Sequence, residues 1–398
     1  MKITVIEADM TKVGGGQLIA LEAIRAFRDV GWDVTLVTAA MGKGVLEAFG
    51  TLPKGVEVVE IAPSLRKFRL YKNMIVGVYG EVIDSDVVFN VYGTYPFWPP
   101  SGKVLVYIHF PFKVYDRAPR NPLWRLYASP QALNEALRRL SLKRRIYLTN
   151  SRFTAWAFIR RRGSAPIYVL YPPVKPLRPS KTKEDIIVSL GRISPEKNQL
   201  EQLLIAKVMR EKGMKFDLFI MGSLDKSSRK CMQYYELLMR KMSAWNLKGR
   251  VEILANVSRR DMEEIVGRAK VMLHTYKFHL KDLGTIGEHF GIAVAECMSA
   301  GAIPIVPAVP SGVWWDILER GRYGYGYHSI AECASKIGMI IKSWSDHELL
   351  SRECIRRAGM YSFERFRKEI VKVVRKVSEE AKYISEPQRF SMSVSIGV

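Results

Sequence analysis

Two acids stand where an acid is costly. Residues 287–301 run Gly-Glu-His-Phe-Gly-Ile-Ala-Val-Ala-Glu-Cys-Met-Ser-Ala-Gly, with Glu288 just before and Glu296 inside a segment that is apolar on nearly every face. A helix apolar all round is a buried helix. A carboxylate buried there without a partner costs several kcal/mol or neutralises itself, so something polar must meet each acid. The boundary Glu288-His289-Phe290-Gly291 offers no Ser, Thr or Asp as an N-cap. The first helical amides, at Gly291 and Ile292, are then open to an anion. An anion at the helix start and a carboxylate further along to accept hydroxyls suit a nucleoside diphosphate with its ribose.

A second set of residues has matching chemistry. Gly191-Arg192-Ile193-Ser194-Pro195-Glu196-Lys197-Asn198 follows a buried strand and precedes a helix. Arg192 and Lys197 bracket that turn, and a guanidinium fork plus an ammonium suits phosphate oxygens. Gly14, Gly15 and Gly16 lie between the first strand and first helix, where glycines let backbone amides approach a phosphate or sugar. His109 ends the buried strand at 103–111. Ligands of α/β sheets bind outside such carboxyl ends, and an imidazole there is expected to titrate or donate near neutral pH. Asp84-Ser85-Asp86 has the spacing of a D-x-D metal motif, but it stands at the start of a strand and is set aside; no metal site is expected.

The segments E-H-F-G-I (288–292), L-H-T (273–275), G-R-x-x-P-E-K-N (191–198), Y-x-H-F-P (107–111) and Y-P-P-V (171–174) together resemble the retaining GT-B glycosyltransferases of family 4. The nearest likeness is to the α-1,2-mannosyltransferases that extend dolichol-linked oligosaccharide. The resemblance covers about residues 1–376. It implies an α/β fold of two Rossmann-like doubly wound domains facing a cleft, with a last helix crossing back to the first domain. It further implies metal-independent, retaining transfer of a sugar from a nucleotide sugar, GDP-mannose as the best guess, to a lipid-linked saccharide, with no cofactor. Glu288, His109, Arg192 and Lys197 would then be catalytic. Arg192, Lys197, Gly222, Val257, Phe290, Gly291, Ile292 and Glu296 would bind donor, Glu296 holding ribose hydroxyls. Gly14, Gly15, Gly16, His109 and Glu288 would contact acceptor or sugar. Two departures stand out: residues 276–287 are inserted before the motif, and Trp314 and Trp315 follow Pro310-Ser311-Gly312-Val313 where smaller residues are usual. A UDP- or ADP-sugar with a soluble acceptor, and more distantly a basic nucleic-acid-binding protein, are the alternatives; no recognised nucleic-acid module is present.

The elements that must position these residues alternate along the chain. Strands are expected at 3–7, 33–38, 56–61, 87–90, 103–111, 146–150 and 167–171, with helices at 17–30, 121–141 and 152–162 and a basic amphipathic segment at 64–78. The proline-rich run 172–179 cannot continue a sheet or helix. Strands resume at 186–190, 216–221, 251–254, 271–275 and 302–306, with helices between and after them. The domains are read as 1–175 (acceptor), 176–360 (nucleotide sugar), 361–382 (crossover helix) and 383–398 (tail). The chain opens directly into a strand with no signal-peptide pattern. No run of eighteen apolar residues is present, so no spanning helix is expected.

The formal charge of +23 on 398 residues points to a polyanionic partner. No Asp or Glu occurs from 136 to 183, where Arg138, Arg139, Arg144, Arg145, Arg160, Arg161 and Arg162 crowd in, with Phe153, Trp156 and Phe158 among them. Aromatics mixed with cations suit a lipid headgroup layer. With Arg66, Lys67, Arg69 and Lys72 they are read as a peripheral docking face for an anionic membrane, on its cytoplasmic side. Scattered Cys231, Cys297, Cys333 and Cys354 read as free thiols in a reducing compartment.

Overall fold

The computed structural model describes residues 1–61, 69–116, 121–276, 278–280 and 283–379. They form two compact units, one of Met1–Asn150, Thr154–Tyr171 and the stretch from Phe366 on, the other of Ser151–Phe153 and Pro172–Arg365.

The first unit contains β1 (Lys2–Ile6), α1 (Gly15–Asp29), β2 (Asp33–Thr38), α2 (Lys43–Phe49), β3 (Val56–Glu60), α3 (Arg69–Val82), β4 (Val87–Asn90), β5 (Lys103–Ile108), α4 (Pro122–Leu137), β6 (Ile146–Thr149), most of α5 (Arg152–Arg162) and β7 (Ile167–Val169). The strands are all parallel, in the order β3-β2-β1-β4-β5-β6-β7. A parallel sheet covered on both faces needs strands that are apolar throughout; β4 and all but the first residue of β1 are fully buried. The winding reverses at β1 and β4, so the carboxyl end of β1 lies at the switch point where such sheets bind ligands.

The second unit contains β8 (Glu184–Leu190), α6 (Gln199–Glu211), β9 (Asp217–Gly222), α7 (Arg229–Ala244), β10 (Val251–Ala255), α8 (Arg259–Arg268), β11 (Ala269–Leu273), β12 (Phe278–Leu280), β13 (Gly284–Ile286), α9 (Ile292–Ser299), β14 (Ile303–Pro307), β15 (Tyr325–Tyr327), α10 (Ile330–Lys342) and α11 (Trp344–Ala358). Its main sheet is again parallel, β10-β9-β8-β11-β14-β15, and β12 and β13 pair as a separate antiparallel hairpin. Within the inserted stretch β12 and β13 thus form a hairpin between β11 and α9. Lys277, Lys281 and Asp282 lie outside the described residues.

The last helix, α12 (Phe363–Glu379), counts with the first unit from Phe366 on. Phe366, Ile370, Val371, Val374 and Val377 recur at helical spacing and are buried in the same cluster as Ile24, Phe27 and Trp32. Each such side chain contributes roughly 1.5–3 kcal/mol of burial. Arg367 donates to the buried Glu22 carboxylate at 2.8 Å, fixing the register of α12 on α1.

The expected long helix at 121–141 ends at Leu137, and a tighter 3₁₀ stretch, Arg138–Arg144, follows. Short elements were the least legible: α2 and β15 carry too few periodic residues to announce themselves. All four cysteines are free thiols, three of them buried.

Candidate active site

The turn after β8 is held from below. Gly191 N–H donates to the Met221 carbonyl at 3.0 Å, and Ile193 N–H to Ser223 at 2.9 Å. The β8 and β9 ends come so close that a Cβ on Gly222 would lie 1.9 Å from the Gly191 oxygen, so only glycine fits there. Arg192 projects from this turn, exposed, with no ion pair among the described residues. Lys197 closes a short 3₁₀ turn, and left-handed Asn198 (φ 54°) launches α6. Thr275, just past β11, donates its hydroxyl to the Lys197 carbonyl at 2.7 Å and accepts from Gln202 Nε2 at 2.8 Å. The L-H-T run thus positions the lysine backbone.

Lys197 Nζ meets the Glu288 carboxylate in a short, half-buried ion pair. Burial alone would push Glu288 up; Lys197, His274 and His289 outweigh it and hold the carboxyl at about 2, so it is ionised at any working pH. His274 is buried beside this pair, and burial holds its imidazole down at about 4; its Nε2 has no hydrogen-bond partner among the described residues. Gly291 follows with φ 100° and no side-chain cap on α9. A Cβ there would sit 2.4 Å from Val313 Cγ2, so glycine is required twice over. Pro310-Ser311-Gly312-Val313 packs directly beneath the motif: Gly312 N–H donates to the Glu288 carbonyl at 2.8 Å. Phe290 is buried edge-to-face on Tyr361, leaving its backbone, not its ring, for any ligand contact. Ile292 is half-buried at the bare helix start.

Glu296, one helical turn deeper, meets Arg259 Nη1 at 3.1 Å. Burial raises its carboxyl, against the pull of Arg259. Arg259 begins α8, next to half-buried Val257 and to Asn256, whose left-handed backbone (φ 57°) donates to the Gly222 carbonyl at 2.9 Å. Sequence reasoning missed Arg259, although its place in the first turn after Asn256-Val257-Ser258 was a usable signal. Arg192, Lys197, Gly222 and Val257 follow or end strands of the second sheet, and Glu288, Gly291, Ile292 and Glu296 lie on α9 or just before it, all within one unit.

In the first unit Gly14 caps α1 in an extended conformation and Gly15 begins it. A Cβ on Gly16 would lie 3.1 Å from Glu7 Oε2 and 3.4 Å from His109 Nε2, which places the glycine loop, Glu7 and His109 together. One expectation fails here. Burial drives the His109 imidazole down to about 4, and its Nε2 sits 3.1 Å from the Val91 carbonyl, so it is neutral and its proton is engaged. Glu7, unmarked in the sequence reading, is the group poised near neutrality. Burial, helped by the charge of Asp9, raises it to about 8 despite contacts from the Asp9 amide, Gln17 and Lys72. Asp84 and Asp86 lie at the opposite, amino end of the sheet, where Asp86 accepts from the Lys2 amide at 2.8 Å.

The basic stretch is largely internal. Arg145 is fully buried against Glu81 at 2.7 Å. Arg161 is buried on Asp116 at 2.5 Å, and Arg162 pairs with Glu135. Arg138 sets its guanidinium carbon over the Tyr95 ring, 4.2 Å from the centroid. Phe153 and Phe158 are core residues, and half-buried Trp156 carries Arg160 over its ring. Lys72 is buried on Asp9 at 2.8 Å. The absence of acids between 136 and 183 was misleading, because their partners come from elsewhere in the chain. Arg66 and Lys67 lie outside the described residues. Arg139, Lys143, Arg144 and Arg160 remain exposed.

Residues 175–350 match the family described as Glycosyl transferases group 1. The GDP-Man:Man(3)GlcNAc(2)-PP-Dol alpha-1,2-mannosyltransferase of Dictyostelium discoideum is 24% identical over 225 residues, covering 52% of this chain and 42% of that protein. The alpha-1,3/1,6-mannosyltransferase ALG2 of Kluyveromyces lactis is 24% identical over 368 residues, covering 78% and 70%. The chain spans less than half the length of the Dictyostelium relative. Among solved structures, Anabaena Alr3699/HepE in complex with UDP and glucose superposes with a TM-score of 0.67 at 16% identity, over 94% of this chain and 100% of that one. Residues 175–350 thus match a group 1 glycosyltransferase domain, and the two units have the GT-B fold.

Proposed function

We propose that this protein is a retaining, metal-independent glycosyltransferase that moves mannose from GDP-mannose to a lipid-linked saccharide. The observation that carries the reading is the Lys197–Glu288 pair at the uncapped start of α9, with Arg192 exposed on the same turn. Breaking the sugar–phosphate bond leaves negative charge on the diphosphate, and fixed positive groups aimed at that charge are usually the largest catalytic term. Arg192, Lys197 and the first α9 amides supply them without a cation. Glu288 stays ionised and accepts sugar hydroxyls, and Glu296, held by Arg259, accepts those of the ribose. The acceptor oxygen takes the anomeric carbon, and its proton leaves with the departing phosphate. The name of the Dictyostelium relative supports GDP-mannose and a diphosphate-linked acceptor, and that of the Kluyveromyces relative supports mannosyl transfer.

The acceptor is assigned to the first unit, and of the expected membrane face this reading keeps exposed Arg139 and Arg144 and adds the outward leucines of α4 in place of α5. Leu123, Leu126, Leu133 and Leu140 are 76%, 72%, 61% and 78% exposed. Leu126 and Leu133 are seven residues apart on α4, close to two helical turns, and the 3₁₀ stretch that follows carries Leu140 with exposed Arg139, Lys143 and Arg144. Apolar side chains flanked by cations fit the surface of an anionic bilayer. No helix among the described residues is long and apolar enough to cross one. The cytoplasmic face of that membrane is part of the same proposal. The test is calorimetric titration with GDP-, UDP- and ADP-sugars in EDTA. The reading requires GDP-mannose to bind best and Lys197→Ala to weaken it; equal, feeble binding of all three would reject the donor assignment.

A further inference from the structure

A cavity of about 360 Å³ lies in the first unit beside α4, away from the glycine loop. Lys113, Arg138, Arg139, Arg161 and Arg162 line it, and Glu135 is the one carboxylate among the described lining residues. Arg161 and Arg162 are engaged by Asp116 and Glu135. Arg138 is different. Its Nε donates to the Tyr95 carbonyl at 2.8 Å and its guanidinium carbon lies 4.2 Å from the Tyr95 ring centroid, so two contacts hold the group in place. Its Nη2 is nonetheless buried without a hydrogen-bond partner among the described residues. A buried charged donor left unmatched is costly, and it is normally matched by something. Exposed Arg139 and Lys113 add charge at the rim.

The cavity wall includes Ala132 and Ala136 of α4, neighbours of the outward Leu133. The outward Leu126 and Leu133 of α4 therefore adjoin a cationic pocket whose Arg138 and Arg139 open the 3₁₀ stretch that follows. We propose that this cavity is an oxyanion subsite for a diphosphate carried on an apolar chain: oxygens on Arg138 Nη2, Arg139 and Lys113, chain along Leu126 and Leu133. The inference extends the reading of the first unit as acceptor-binding and rests on it. It adds that the diphosphate, and not the sugar alone, is recognised.

Calorimetric titration of the full chain carrying Arg192→Ala and Lys197→Ala tests it, since that background removes the proposed donor diphosphate site. The probes are farnesyl diphosphate, farnesol and inorganic diphosphate. Farnesyl diphosphate is expected to bind most tightly. Lys113→Glu with Arg139→Glu, both exposed and compatible with an unchanged melting temperature, is expected to weaken it by about tenfold or more, as lost charge-assisted bonds do. Leu126→Ser with Leu133→Ser is expected to weaken farnesyl diphosphate and leave inorganic diphosphate unchanged. Farnesyl diphosphate binding that ignores the charge reversals, or farnesol binding equally well, overturns the proposal. Inorganic diphosphate binding as tightly as the prenyl ester overturns the lipid-borne source. Loss of all diphosphate binding in the starting background assigns it to the second unit and also overturns the subsite, while wild-type donor binding is measured separately and decides the glycosyltransferase reading.

Discussion

At the residue scale the decisive feature is the ion pair of Lys197 and Glu288. Each neutralises the other, and the proposed donor diphosphate would compete for the lysine. Lys197→Ala should cut turnover by about a hundredfold or more, as loss of one charge-stabilising donor does; unchanged kinetics would remove Lys197 from the chemistry. Arg259→Ala should weaken nucleotide binding by about tenfold, since Glu296 would lose the cation that orients it, and titration of the nucleotide checks this. Glu7 gives a pH signature. Its carboxyl releases a proton near 4.5 when unfolded and near 8 when folded. Between those values the unfolded chain holds fewer protons, so this group makes stability fall as pH rises. Melting curves of Glu7→Gln should match wild type at pH near 5 and lie above it at pH near 8.5; a variant less stable at the higher pH would show that the ionised carboxylate is favoured. Both buried motif acids were legible as needing partners. Which partners could not be read, because Lys197 and Arg259 come from distant parts of the chain.

At the scale of elements, the turn after β8 and the start of α9 are built on glycines with no substitute. Gly291→Ala faces a left-handed backbone and a 2.4 Å approach to Val313, and should destabilise the second unit by about 1–3 kcal/mol. Chemical denaturation measures this, and a neutral result would mean the motif can shift freely. Strand and helix order was legible wherever apolar runs alternated with turn residues, because a parallel sheet demands them. The inserted stretch was legible only as an insertion, since β12 and β13 are three residues each. The basic region misled for a physical reason. Cations and aromatics in one helix look alike whether they face a headgroup layer or a buried network, and α5 turns Phe153, Phe158 and Arg161 inward.

At the scale of the molecule, exposed apolar surface on α4 adjoins exposed charge on the 3₁₀ stretch Arg138–Arg144. Leu126→Ser with Leu133→Ser should lower binding to anionic vesicles by about tenfold, and raised salt should weaken what remains; equal sedimentation with neutral and anionic vesicles would discard this face. The central claim is that the chain transfers a sugar from a nucleotide donor to a lipid-linked acceptor. The most direct measurement is incubation with GDP-mannose and a polyprenyl-diphosphate-linked saccharide in EDTA, with the acceptor analysed by mass spectrometry. The account predicts an acceptor one hexose heavier, with an α linkage, and little or none when Lys197→Ala replaces wild type. An unchanged acceptor with GDP-, UDP- and ADP-sugars alike, from protein that is folded, would contradict it.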